Sequence, residues 1–295
     1  MSTLIVGCGY LGRRVGEILA KRHENVFGTT RHVERKPELA ALGITPLIAD
    51  VLDPTSLVSL PKVDRVLYCV GFDRSARIPF STVYLGGLGH ALTALKGRTK
   101  RIVYASSTGV YGRNDGGWVD EETPPEPTTQ SGKVVLEAEG LVAASSVRFG
   151  SDFSVIRFSG LYGPGRIIRR TALEKGEPIA GDPLRFLNLI HILDAAIATI
   201  AVLDWGASGR IYHASDDNPV ERQRWYEETA LLLGAPPPKF VAPEPGTGSL
   251  AREESNKRIS NRRIKEELGL RLNYPHFSEG LFAALEEERF RASKG

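Results

Sequence analysis

The chain has 295 residues, 41% hydrophobic and 25% charged, the composition of a globular protein long enough for one large α/β domain or two small ones. Its 38 Lys and Arg against 35 Asp and Glu leave a net charge of +3, a near-balance that argues against a dedicated nucleic-acid binder, which needs a basic stripe. No apolar run approaches a membrane span, and the N-terminus runs into a strand without a charged n-region and apolar h-region, so a cytoplasmic protein with no membrane partner is expected.

Residues 3–6 form a short, β-branched apolar run that reads as a strand buried on both sides. Gly7-Cys8-Gly9-Tyr10-Leu11-Gly12 follows and fits G-x-G-x-x-G. A helix then opens, with Val15, Ile18 and Leu19 on one face and Arg13, Arg14, Glu17 and Lys21 on the other. In that setting Gly7 allows a tight turn, Gly9 lets backbone approach a pyrophosphate, and Gly12 lets helix pack on strand. The N–H groups of Tyr10, Leu11 and Gly12 then face an anion at a helix N-terminus. The hexad alone is a weak signal; between a buried strand and an amphipathic helix it points to a dinucleotide.

A second strand, 25–29, ends in Thr29-Thr30-Arg31. An acidic residue at this place binds the ribose 2′-OH of NAD, whereas an arginine accommodates the 2′-phosphate of NADP. Arg31 beside Thr30 therefore favours NADP over NAD, with Glu34 able to serve NAD only in a shifted register. A helix over 37–42 leads to a third strand, 44–49, closed by Asp50 and Val51 near the adenine; Asp53 before Pro54 reads as a helix cap. A fourth strand, 65–70, ends at Val70 and Gly71, where backbone can pass close to the nicotinamide ribose. A helix over 81–95 and a fifth strand, 101–105, follow. The alternation predicts a doubly wound parallel sheet of order 3-2-1-4-5-6, extended, with a smaller C-terminal lobe. The core is placed at 1–163, completed by about 186–216, and the lobe at 164–295.

The two cysteines, Cys8 and Cys69, fall near the ends of neighbouring strands. They read as small apolar residues in a reducing compartment, close enough in the sheet to meet.

Beyond the fifth strand, 116–129 is a polar loop, 134–147 a helix and 153–158 a sixth strand. The stretch 186–190 is extended, 192–203 is an apolar helix, 210–214 is a strand, and 220–233 is a helix. The Pro-rich segment 235–247 has no periodicity, and 260–268 and 277–290 close the chain as helices.

Five blocks now stand in order: Gly7-x-Gly9-x-x-Gly12, 103–112 (VYASSTGVYG), 157–165 (RFSGLYGPG), 188–194 (NLIHILD) and 257–261 (KRISN). Together they resemble the extended short-chain dehydrogenases/reductases, the NAD-dependent epimerase/dehydratase family. The resemblance implies a serine after the fifth strand that orients the substrate oxygen, and a Tyr-x-x-x-Lys pair on the next helix that moves a proton while nicotinamide carries hydride. It also implies a homodimer and a small-molecule substrate.

Ser107 matches the upstream serine, although a strand-end serine can also simply bond backbone. The pair itself departs from the pattern. Aligning Gly132 and Ala138-Glu139 puts Ser131 in the tyrosine slot and Val135 in the lysine slot; a second register, Thr129 to Lys133, keeps a lysine. This resembles the atypical branch of the family. Candidate replacement groups are Lys133, which reaches the site only if the helix begins late or the register shifts, Tyr111 and His191. His191 reads as orienting the helix that carries Asp194, and the histidines show no metal-ligand spacing. Arg166, Arg169, Arg170 and Arg185 follow the sixth strand and suit an anionic substrate such as a nucleotide-sugar diphosphate; a charged helix surface is the alternative. The leading expectation is an NADP-linked oxidoreductase or epimerase/dehydratase-like enzyme. Its rival is a non-catalytic NADP(H)-binding regulatory or redox-sensing protein.

Overall fold

The computed structural model describes residues 1–242 and 255–293; the end of the Pro-rich segment, 243–247, lies outside them. The main sheet has seven strands: β1 (Ser2–Val6), β2 (Asn25–Thr30), β3 (Thr45–Ile48), β4 (Arg65–Tyr68), β5 (Arg101–Ser107), β6 (Asp152–Phe158) and β7 (Arg210–Ala214). Their order is β7-β6-β5-β4-β1-β2-β3. The ladders β1–β2, β1–β4, β2–β3 and β4–β5 are parallel. This is the doubly wound order, with its reversal beside β1, and a crevice opens at that point in such sheets. Leu4, Ile5 and Val6 are fully buried, as expected of a strand covered on both faces.

The helices are α1 (Tyr10–Lys21), α2 (Lys36–Ala41), α3 (Leu88–Ala94), α4 (Gln130–Phe149), α5 (Arg170–Glu174), α6 (Ile192–Trp205), α7 (Arg222–Leu233), α8 (Arg262–Leu268) and α9 (Phe277–Ala292). The helix expected over 81–95 is split: Thr82–Gly87 is wound as a π-helix and only then does α3 begin. Gly87 sits against Val51, where a Cβ would lie 2.7 Å from the valine methyl. The extended stretch 186–190 is two short strands, Phe186–Leu187 and Leu189–His191, separated by Asn188. The Asn188 side chain explains the break. It donates to the Lys257 carbonyl at 2.8 Å and accepts from the Ile259 N–H at 2.7 Å.

The chain divides into two compact units. The first comprises Met1–Val110, Gln130–Arg157 and Ala196–Tyr212; the second comprises Tyr111–Thr129, Phe158–Ala195 and His213–Gly295. In the first, a core of Leu4, Val6, Leu57, Val66, Leu88, Leu92 and Val142 joins sheet to helices. A buried carboxylate links α4 to the sheet there: Glu139 takes two hydrogen bonds from the Arg157 guanidinium, at 2.9 and 2.6 Å, and one from the Ser106 hydroxyl. In the second, Tyr162, Leu189, Trp225, Phe277 and Leu281 form a separate core. His191 accepts from the Leu193 N–H through Nδ1 at 3.3 Å, which fixes the start of α6. Asp194 then accepts from the N–H groups of Asn273 and Tyr274, each at 2.8 Å. Among the described residues no helix is long and apolar enough to cross a membrane.

Candidate functional site

The glycine-rich turn after β1 is built by contact. Gly7 has φ +93°, and a Cβ there would lie 2.6 Å from the Val70 Cα. Its N–H donates to the Thr29 hydroxyl at 2.9 Å, and the Cys8 N–H donates to the Thr29 carbonyl at 3.0 Å, tying the turn to β2. Gly12 faces Gly7 across the turn: a Cβ would lie 2.7 Å from the Gly7 carbonyl oxygen. Gly9 differs from both. A Cβ there would meet only the Gly7 oxygen, at 4.0 Å. Gly9 is also the N-cap of α1, with no capping side chain and no acidic residue in the first turn. The first-turn N–H groups stand at the positive end of the helix dipole. Open space at Gly9, donors behind it and no carboxylate in the first turn fit a pyrophosphate.

A cleft of about 320 Å³ opens beside this turn, within the ~300–1,000 Å³ usual for small-molecule sites. It is lined by Gly7, Gly9, Thr30, Arg31, Asp50, Val51, Val70 and Gly71, eight of the expected cofactor residues. Gly71 leaves open space on the cleft side: a Cβ there would meet nothing within 4 Å. Asp50 spends one carboxylate oxygen on the Leu52 N–H, at 2.9 Å. Tyr10, Leu11 and Gly12 are not in the lining. The Leu11 side chain is buried in the protein and Gly12 packs on the turn, so any part they take is through the main chain.

The cleft also contains residues not anticipated from the sequence: Thr29, His32, Arg35, Phe72 and Asp73 among them. Arg35 donates to the Cys8 carbonyl at 3.2 Å and pairs with Glu38, which also binds Arg13. A lone arginine five residues past β2 carried no pattern that marked it. Glu34 is exposed and pairs with His32; it does not line the cleft. Asp53 caps the short 3₁₀ turn Pro54–Leu57 by accepting from the Thr55 N–H.

Cys8 and Cys69 are both free thiols. They fill the space that glycines leave: a Cβ on Gly28 would lie 2.9 Å from the Cys8 sulfur, and one on Gly12 would lie 3.2 Å from that of Cys69. Burial pushes the Cys8 thiol up to about 12 and raises Cys69 as well, which leaves both as thiols rather than reactive thiolates.

Ser107 ends β5, half-buried, and its hydroxyl accepts from the Gly109 N–H at 3.0 Å. A serine hydroxyl that accepts one hydrogen bond can still donate its own proton. Lys133 is exposed on α4, between buried Gly132 and Val134. Because α4 has begun at Gln130, the late start that would bring Lys133 round is absent; helix geometry sends it to the outer face. Val135, in the lysine slot, is buried. Tyr111 belongs to the second unit and is 2% exposed. Its hydroxyl lies 2.8 Å from His213 Nε2 and 3.2 Å from the Asp120 carbonyl. His213 Nδ1 faces the Ser260 carbonyl at 3.1 Å, so Nδ1 carries a proton, and the phenol hydroxyl is shared between Nε2 and the Asp120 carbonyl. Tyr111 is a packed tyrosine with its hydroxyl engaged.

The expected substrate arginines divide. Arg170 is held between Glu174 and Glu288, which raise its pKa, so its charge is already matched within the second unit. Arg166 and Arg169 are exposed; Arg169 takes a left-handed φ of 59° as it opens α5. Arg185 lies 3.5 Å from Asp182.

Lys257 went unmarked as a chemical group in the fifth block. It is 6% exposed, and its Nζ donates to the Tyr111 carbonyl at 3.0 Å and the Ser255 hydroxyl at 2.7 Å. Burial without a carboxylate among those partners lowers its pKa from 10.5 to about 8.

Residues 3–215 match the model of the NAD dependent epimerase/dehydratase family. The chain belongs to this family. It is 31% identical to Protein YeeZ of Escherichia coli (strain K12) over 278 residues, covering 92% of this chain and 95% of that protein. It is 27% identical to the 3-diazoavenalumate denitrifying reductase of a Streptomyces species, over 95% and 99% of the two chains. A conserved protein of unknown function from Silicibacter pomeroyi DSS has the same fold, with TM-score 0.80, 31% identity and coverage of 97% and 98%. So does DesIV, a dTDP-glucose 4,6-dehydratase from Streptomyces venezuelae solved with NAD, at TM-score 0.84, 22% identity and coverage of 99% and 98%. This family member thus carries the family's sheet and glycine turn.

Proposed function

We propose that the protein is an NADP(H)-linked oxidoreductase of the atypical epimerase/dehydratase branch, acting on a small polar or nucleotide-sugar-type substrate without the Tyr-x-x-x-Lys pair. The observation that carries this is the cleft at the glycine turn. It combines open backbone at Gly9 with Arg31 and Arg35 past β2, and residues 28–33 contain no carboxylate. An arginine there suits a 2′-phosphate, where NAD-specific sites place an acid. Bound nicotinamide would supply the hydride chemistry. Ser107 would orient the substrate oxygen with its O–H. The Streptomyces relative, named as a reductase over nearly its whole length, supports a reductase over an epimerase.

A second reading, a non-catalytic NADP(H)-binding regulator, is favoured by one observation: buried Val135 replaces the lysine, and exposed Lys133 does not restore it. Near-UV absorbance of reduced nicotinamide separates the two. The protein is mixed with NADPH or NADH against a panel of nucleotide sugars and small carbonyl compounds, with Ser107→Ala alongside. Substrate-dependent oxidation of NADPH that collapses in Ser107→Ala supports the enzyme. Tight NADPH binding with no turnover across the panel supports the regulator, and binding of neither dinucleotide refutes both.

A further inference from the structure

Arg31 and Asp73 both line the cleft and form an ion pair with each other. Asp73 is fixed from its own side. It caps the short turn Arg74–Ala76, with Oδ1 accepting from the Ser75 N–H at 2.9 Å and the Ser75 hydroxyl at 2.6 Å. The other oxygen, Oδ2, takes Arg31 Nη2. The loop that carries Asp73 is pinned by rings: Phe72 meets Phe80 edge-on at 5.1 Å, and Phe80 stacks on Tyr84 at 4.1 Å. The Ser75 hydrogen bonds, with Arg31 alongside, hold the Asp73 carboxyl below its ordinary range, so it is charged at neutral pH. The second cation of the cleft, Arg35, lies 3.1 Å from Glu38, a carboxylate that it shares with Arg13. The charge of Arg31 is therefore matched in place by Asp73.

A 2′-phosphate is a dianion and needs surplus positive charge, while a ribose 2′-OH does not. Any phosphate that engages Arg31 also meets the Asp73 carboxylate beside it, at like charge. We infer that Asp73 sets the cofactor preference of this cleft, holding down affinity for the 2′-phosphate of NADP(H) and so narrowing its advantage over NAD(H). The inference rests on the cleft being a dinucleotide site. Asp73 is a specificity residue that acts through Arg31.

The test is fluorescence titration of the full-length protein with NADPH and with NADH, at low and high ionic strength. Wild type, Asp73→Asn, Arg31→Ala and the double variant are compared. Asparagine keeps the acceptor for Ser75 and removes the charge. Asp73→Asn is expected to tighten NADPH about fivefold and to change NADH less than about twofold. The gain is expected to shrink at high salt and to vanish when Arg31 is alanine. Asp73→Ser, also uncharged, gives the same direction if charge is the cause. An NADPH-to-NADH affinity ratio that stays level or falls in Asp73→Asn overturns the inference while leaving the dinucleotide reading intact. A wild type that binds neither dinucleotide overturns both.

Discussion

Gly9→Ala separates a cofactor loop from a turn that is merely tight. At Gly9 the protein has room: beyond its chain neighbours, an added Cβ comes no closer than 4.0 Å, to the Gly7 oxygen, and φ is −90°. The substitution exchanges one weak N-cap for a poorer one, a cost of up to ~1 kcal/mol. At about 2–4 °C per kcal/mol for a chain of 150–250 residues, the melting temperature should fall by no more than a few degrees. A bound pyrophosphate changes the balance. The methyl group occupies the space through which the anion reaches the first-turn N–H groups, so NADPH affinity should drop at least tenfold, about 1.4 kcal/mol. Fluorescence titration with NADPH and a thermal melt, on the same preparation, read the two effects separately. Wild-type affinity in Gly9→Ala would show that no pyrophosphate approaches this turn. A melt lowered by ten degrees or more would show that Gly9 is held by the fold, and the reasoning from open space would fail.

Gly12→Ala is the contrasting case: its Cβ would lie 2.7 Å from a backbone oxygen and 2.9 Å from Ile5, so the melt should fall with or without cofactor, and an unchanged melt would contradict the packing. Glu139→Ala takes the carboxylate from the buried Arg157 guanidinium and should cost about 3–5 kcal/mol in urea unfolding; a loss below ~1 kcal/mol would mean that Arg157 does not depend on Glu139 for its charge. Lys257 supplies a pH test. Its folded pKa of about 8 lies below the ordinary 10.5, so between these values the unfolded chain binds more protons and stability rises with pH. The full difference, 10.5 − 8, corresponds to about 3 kcal/mol. Wild-type stability should therefore gain on Lys257→Met from pH 7 to pH 10, with Lys257→Met the more stable at pH 7; equal slopes in urea unfolding would refute an uncompensated buried ammonium.

Local signals told most about the first unit. A buried apolar run, G-x-G-x-x-G and an amphipathic helix are consecutive in the chain, and the crossover from each parallel strand to the next leaves few ways to order β1 to β5. The strand ends that line the cleft, Thr30, Asp50 and Gly71, follow from that order because every parallel strand presents its carboxyl end to the same edge. Arg35 and Asp73 were hidden for the opposite reason. They enter the cleft from loops whose paths depend on tertiary contacts: Arg35 on the Cys8 carbonyl, and Asp73 on a loop clamped by Phe72 and Phe80. The same limit explains Lys133 and Lys257. Sequence spacing favoured Lys133 because a lysine stood near the expected slot, but a helix that starts at Gln130 leaves it in solvent. Lys257 looks like an ordinary charged residue beside Arg258. Its burial appears only when Asn188, about seventy positions earlier, binds the backbone on both sides of Arg258 and turns the ammonium onto the Tyr111 carbonyl. A charge becomes chemically distinctive through what surrounds it, and for this lysine the surroundings come from segments that no local pattern connects.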